Sequence, residues 1–285
     1  MPRHIVCLTY DFDALSLPIA KGTVTPTPLS RGEFGLAGVE RIRRLLKAHR
    51  VRATFFVPGH TIESFPDAVG ALVEDGHEIA CHGWTHRRPA ALSRDEERDE
   101  LVRAAAAIER VSGRSPRGYR SPSWDLSENT LDLLLDLGFS YDSSLMGHDY
   151  LPYRPRRGDA VPLLEPARFG YPVDLIELPV SWSLDDYTHY EWSVMSGGAL
   201  NQGLMSWRAV LDNWTADFDY MTRTLDWGVT TYTFHPFVSG RGHRMMAMEA
   251  LIRHVRNGGA EFATMAEVAD AAVDRLGPID GVAGR

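Results

Sequence analysis

The chain has 285 residues, a formal net charge of −8 and a sequence pI of about 5.8, and 44% of its residues are hydrophobic. That balance supplies a sizeable core and excludes a binder of nucleic-acid backbone, which would concentrate Lys and Arg. Two cysteines exclude a disulfide framework, and no apolar run reaches the ~20 residues of a membrane span. The opening MPRHIVCLTY lacks the apolar core of a secretory signal, so the expectation is a cytoplasmic protein without membrane or nucleic-acid partners.

Strand and helix patterns alternate along the chain. HIVCLTYD reads as a buried strand, and GLAGVERIRRLLKAHR places apolar residues at helical spacing. RATFFVPG is a second strand, FPDAVGALVEDG a helix closed by Gly76, and HEIACH a third strand. The next helix opens on Ser93 with Glu96 three residues on, a capping box. RGYRSPSW, the helix SENTLDLLLDLG and the strand FSYDSSL follow. A proline-rich loop is expected from Gly147 to Pro172, where periodicity dissolves. LIELPVSW, a helix beginning near Ser206, VTTYTFHP, a helix from Arg244, AEFATM and a final helix complete the order. Repeated βα units predict an α/β protein with a parallel sheet or barrel. One domain over 1–275 is expected, with 276–285 as a frayed tail.

In such folds, polar groups at the carboxyl ends of strands carry the chemistry. Four stretches fall there: Asp11 and Asp13 in YDFDA, His82 and His86 in CHGWTH, Arg120 in YRSPSW, and His235 in TFHP. On a helix or helical turn, His82 and His86 would share one face, close enough for one metal ion. Two histidines and one aspartate make a three-ligand site with open positions. One aspartate could then hold the metal while the other takes a proton from water; capping or turn duty is the plainer alternative. Cys81 neighbours His82 on a strand and is expected to pack away from it.

YDFDA, TFFVPG, HEIACHGWTH, RSPSW and TFHP resemble, in order, the motifs of the polysaccharide deacetylase superfamily, also called the NodB-homology or carbohydrate esterase family 4 group. The ending TFHPFVSGRGHRMMAMEALIRHVR is similar to a subgroup of intracellular peptidoglycan-deacetylase-like proteins, cyclic imidases and allantoinases. The resemblance implies a distorted (β/α) barrel with fewer than eight units, of the seven-stranded NodB type. It implies Asp11 as general base, Asp13, His82 and His86 as metal ligands, Arg120 holding Asp11, and His235 as general acid. The metal implied is zinc, or another divalent transition metal. Trp124 matches an aromatic lining the substrate groove. Asp185 and Asp186 join the candidate substrate-site residues, either one placed to tune His235, and Arg241 is a candidate anion contact. Secreted relatives carry adjacent aspartates, whereas Phe12 separates them here, the form of the intracellular subgroup.

The expected activity is therefore metal-dependent hydrolysis of a non-peptide C–N bond. It would remove an N-acetyl group from a sugar, or open a small cyclic imide or amide. The rivals are a metal-independent allantoinase-like hydrolase, a non-haem iron oxygenase using the two-His-one-carboxylate set, and a non-catalytic carbohydrate-binding protein. A homo-oligomer, a tetramer by resemblance, is the implied assembly. Trp182, Trp192, Trp207, Trp214 and Trp227 are read as core or interface packing.

Overall fold

The computed structural model describes residues 3–194, 200–202 and 204–279. Residues 280–285 of the expected tail and the side chain of Trp192 lie outside the described part. The elements run β1 (His4–Asp11), α1 (Ser16–Ala20), α2 (Pro26–Ala48), β2 (Thr54–Val57), α3 (Gly59–Ser64), α4 (Pro66–Glu74), β3 (Glu78–Cys81) and α5 (Arg94–Ser112). Next come β4 (Gly118–Tyr119), α6 (Thr130–Asp136), β5 (Tyr141–Asp142), β6 (Arg156–Arg157), β7 (Tyr171–Pro172), β8 (Ile176–Glu177) and α7 (Asp186–Tyr190). The chain continues through β9 (Trp192–Val194), β10 (Leu200–Gln202), α8 (Trp207–Thr224), β11 (Gly228–Phe234), α9 (Pro236–Ser239), α10 (Gly242–Asn257), β12 (Glu261–Phe262) and α11 (Met265–Leu276).

Seven strands lie in the order β11-β1-β2-β3-β4-β5-β8, and β12 joins β1 beside them. Every pairing in this sheet is parallel, which gives the curled half-barrel expected of the NodB type. β11 runs along one edge of β1 from His4 to Tyr10, while β12 and β2 pair with it at Ile5–Val6 and Thr9–Asp11. A single parallel bridge, Asp185 to Thr233, links the segment after β8 back to β11.

All eight residues of β1 are buried, as a strand covered on both faces requires. Its alternation divides two cores. Val6, Leu8 and Tyr10 pack with Ile42 and Leu46 of α2, Leu101 of α5 and Leu251 of α10. Ile5 and Cys7 face Phe56, Ala80, Tyr141, Ile176 and Val229, together with Met265, Val268 and Ala272 of α11.

Two sequence expectations shift. α2 starts at Pro26 rather than Gly35, because a proline is accommodated in the first turn, where its missing N–H costs nothing. The stretch 147–172 is not all loop: β6 and β7 pair antiparallel within it, and Ala160 bridges Arg168. The Ser93–Glu96 capping box on α5 forms as expected.

Candidate active site

The candidate residues converge at the carboxyl ends of β1, β3, β4 and β11. Asp11 ends β1, and Asp13 follows where the strand has broken into a turn. Ser16 and Thr61 hydroxyls donate to the Asp13 carbonyl at 2.7 Å each, which fixes that turn. His82 and His86 sit in a turn after β3, not on a helix. His86 takes positive φ (59°) to bring its ring 5.1 Å, edge-on, from that of His82. Cys81 faces the opposite core, fully buried, its thiol pushed up to about 12 by burial.

Asp13 Oδ1 lies 3.5 Å from His82 Nε2, and Asp13 Oδ2 lies 3.8 Å from His86 Nε2. These are too long for hydrogen bonds. Both Asp13 oxygens and His82 Nε2 are buried without a hydrogen-bond partner. Meanwhile His82 Nδ1 is 2.7 Å from the Arg120 carbonyl, which leaves Nε2 to face Asp13. Burial, reinforced by Asp11, pushes Asp13 up to about 8, and burial holds both histidines below their usual range. Ligand atoms of Asp13, His82 and His86 lie within 4.8 Å of one another, and those of Asp13 and His82 are buried without a partner, which is what a divalent cation satisfies, so the residues fit a metal.

Asp11 is held differently. Arg120 Nη1 donates to Asp11 Oδ1 at 2.8 Å and to Thr9 Oγ1 at 2.9 Å. Arg120 itself is fully buried, its guanidinium 4.1 Å from the Phe56 ring centroid. Burial raises Asp11, but Arg120, His82 and His235 outweigh it and hold the carboxyl below its usual range. Its other oxygen, Oδ2, lies 4.0 Å from His235 Nε2.

His235 follows β11. Its Nδ1 is 2.8 Å from Asp186 Oδ1, and its backbone N–H donates to Asp186 Oδ2 at 2.9 Å. Asp185 stands 3.9 Å from Nδ1 and accepts from the Tyr187 N–H at the start of α7. Burial disfavours the imidazolium, yet Asp185 and Asp186 dominate and raise His235 well above its usual range. Of the two aspartates the sequence left open, Asp186 makes the direct contact with His235.

A cavity of about 150 Å³ opens on these groups, lined by Asp11, Asp13, His86, Trp124, Asp185 and His235 among others. Trp124 stacks on Trp182 with ring centroids 4.1 Å apart. Trp182 was read as packing but lines this cavity and is 43% exposed; one tryptophan in a loop gives no periodic signal to reveal that. Tyr187, from a stretch the sequence marked as pocket-shaping, also lines it, as do Leu17 and Lys21, of which the motifs gave no hint. Arg241 is not brought to the cavity: its guanidinium stacks 3.4 Å from the Phe34 ring centroid. Trp214 packs in the core, as read.

The family profile for polysaccharide deacetylase matches residues 32–141. The chain is 34% identical over 280 residues to the peptidoglycan deacetylase of Helicobacter pylori, covering 93% of this chain and 95% of that one. A crystal structure of a candidate polysaccharide deacetylase from Mycobacterium smegmatis superposes with a TM-score of 0.84 at 31% identity, covering all of this chain and 95% of the other. An allantoinase crystal structure shares the fold, with a TM-score of 0.77 at 20% identity over 96% of this chain and 91% of its own. With likeness in sequence and fold along nearly its whole length, the chain belongs to the polysaccharide deacetylase family and is a deacetylase-like hydrolase.

Proposed function

We propose that the chain hydrolyses the C–N bond of an N-acyl substrate, an N-acetylated amino sugar or a small cyclic imide, with a divalent cation held by Asp13, His82 and His86. Zinc suits a set of two imidazoles and one carboxylate. The observation that carries this reading is the convergence of Asp13, His82 and His86, with the Asp13 oxygens and His82 Nε2 orphaned, beside two separately tuned proton-transfer groups. When bound, such a cation polarises the substrate carbonyl and makes water acidic enough to attack at neutral pH.

The chain's own residues then divide the proton work. Arg120 keeps Asp11 ionised and occupies Oδ1, so Oδ2 is the atom that accepts the proton of the attacking water. Asp186 fixes the His235 ring through Nδ1 and keeps it protonated, so Nε2–H points the proton at the leaving nitrogen. Separate groups perform the two transfers because their surroundings push their proton affinities apart. The Trp124–Trp182 stack supplies a flat apolar wall for the substrate.

The test is a hydrolysis screen of N-acetylated amino sugars, cyclic imides and ureides with zinc-loaded and chelator-stripped protein. Turnover that depends on the cation is expected. Full activity after stripping would overturn the metal-dependent reading in favour of the metal-independent one.

A further inference from the structure

We propose that the substrate carries an anionic group on its amine half, and that Lys21 is the specificity residue that binds it. This rests on the hydrolase reading above. The catalytic cavity is acidic, with Asp11, Asp13 and Asp185 in its wall. Among the described residues, Lys21 is the only lysine or arginine lining it. Arg120 does not compete for substrate, since it is fully buried and engaged by Asp11, Thr9 and Ser143.

Lys21 is the C-cap residue that follows α1, and it is exposed. Its ammonium lies 5.8 Å from the Tyr187 ring centroid, and it forms no ion pair with any described residue. The undescribed internal residues 195–199 and 203 contain no Asp or Glu. An internal counter-charge for the aspartates would be ion-paired with a carboxylate; this cation acts on Asp13 only at a distance and is paired with none of the described carboxylates. The Tyr187 ring also lies 5.6 Å from that of His235. Lys21 is therefore on the side of the general acid, where the leaving nitrogen must be.

Lys21 also walls a smaller adjoining cavity of about 50 Å³, lined by Leu17, Pro18, Thr23, Pro28 and Arg31. Arg31 is paired with Glu191, which leaves the lysine as the cation without an ion pair, among the described residues, between the two spaces. A carboxylate on the amine half, pointing from the reacting centre past Leu17, meets Lys21 there. A neutral substrate leaves this cation without a partner in the complex. The reaction is otherwise the same hydrolysis: water adds its oxygen to the acyl carbon, the C–N bond breaks, and the nitrogen leaves with a proton.

The experiment compares kcat/KM of the zinc-loaded protein on matched acid and methyl-ester pairs, one pair of N-acetylated amino sugars such as N-acetylmuramic acid and one of cyclic imides. The acid should be preferred in the pair that turns over. Lys21→Met should lower that preference about tenfold, the size of one charge-assisted hydrogen bond, chiefly through KM. Lys21→Arg should restore the preference and Lys21→Glu invert it, and added salt should weaken it in the native protein. A preference for the ester, or one that Lys21→Met leaves intact, overturns the role of Lys21 while the hydrolase reading stands. Absence of turnover on all four substrates removes that reading and this inference with it. Matched melting curves confirm that the variants fold.

Discussion

Phe12 separates two aspartates that experience opposite environments. Asp11 is held ionised by a guanidinium, whereas Asp13 faces two imidazoles with no donor on either oxygen. Substitution should therefore separate their roles. Asp11→Asn should retain bound zinc by elemental analysis but lose turnover by roughly 100- to 10,000-fold, the range of general-base contributions. Asp13→Ala and His86→Ala should lose the zinc itself. A zinc-free Asp11→Asn protein would refute that division. His235 supplies the pH signature. Asp186 raises its proton affinity, so Asp186→Asn lowers it, and the proposed acid loses its proton at a lower pH. The alkaline limb of the kcat/KM profile should move to lower pH, with the acid limb in place; an unmoved alkaline limb would count against His235 as the acid.

At the scale of elements, the proposed base, Asp11, is braced through Arg120 by neighbouring strand ends. Asp142 of β5 and Glu177 of β8 are fully buried, and each is left with one oxygen lacking a partner in the hydrogen-bond inventory. A proton shared between those oxygens satisfies both. The remaining oxygens accept from the Ser144 hydroxyl and from the Ser144 and Leu145 N–H groups. This fixes the turn in which Ser143 receives Arg120 Nε and Nη2. Burial raises both carboxyls, Asp142 to about 6. Raised folded values mean the pair contributes stability fully below pH ~4, the unfolded range, and loses it as pH climbs through 6. Glu177→Gln can donate where the proton was, so the native protein should lose stability relative to this variant between pH 5 and 8. Asp142→Asn should be tolerated likewise, whereas the double amide sets two donors face to face. Its melting temperature should fall further than the single effects summed; additivity would dismiss the shared proton.

The proposed general acid depends on a helix contact as well. A Cβ on Gly38 of α2 would collide with the carbonyl of Pro236, the residue after His235. Gly38→Ala should cost about 1–3 kcal/mol in denaturant unfolding and lower kcat as His235 moves. Wild-type kcat with the stability loss alone would show that the contact serves packing only.

For the whole molecule, a cation binding only the folded state stabilises it, by about 2.7 kcal/mol at a hundred times its dissociation constant. Without a cation, burial raises Asp13 to about 8. The cation must displace that proton, so the rise in melting temperature on adding zinc should grow between pH 5 and 8. A rise that shrinks over this range would contradict Asp13 as a ligand. Among the described residues no helix is long and apolar enough to cross a membrane.

Much of this was legible in the linear order of residues. The alternation of strands and helices, the mostly apolar β1 and the capping box of α5 are local patterns, decided by periodicity and by backbone groups within a few positions of each other. The identity of the chemical groups was legible too, because each ends a recognisable strand. What the residue order left open were contacts between segments far apart in the chain. Asp185 and Asp186 are adjacent and chemically alike; only the bridge from Asp185 to Thr233 turns one of them onto His235. His82 and His86 have helical spacing, yet a turn with positive φ joins them. Trp182 and Lys21 enter the cavity from loop positions that no period marks. Local free energy sets the elements, whereas loop direction and the meeting of distant side chains are set by tertiary packing, and there the pocket was decided.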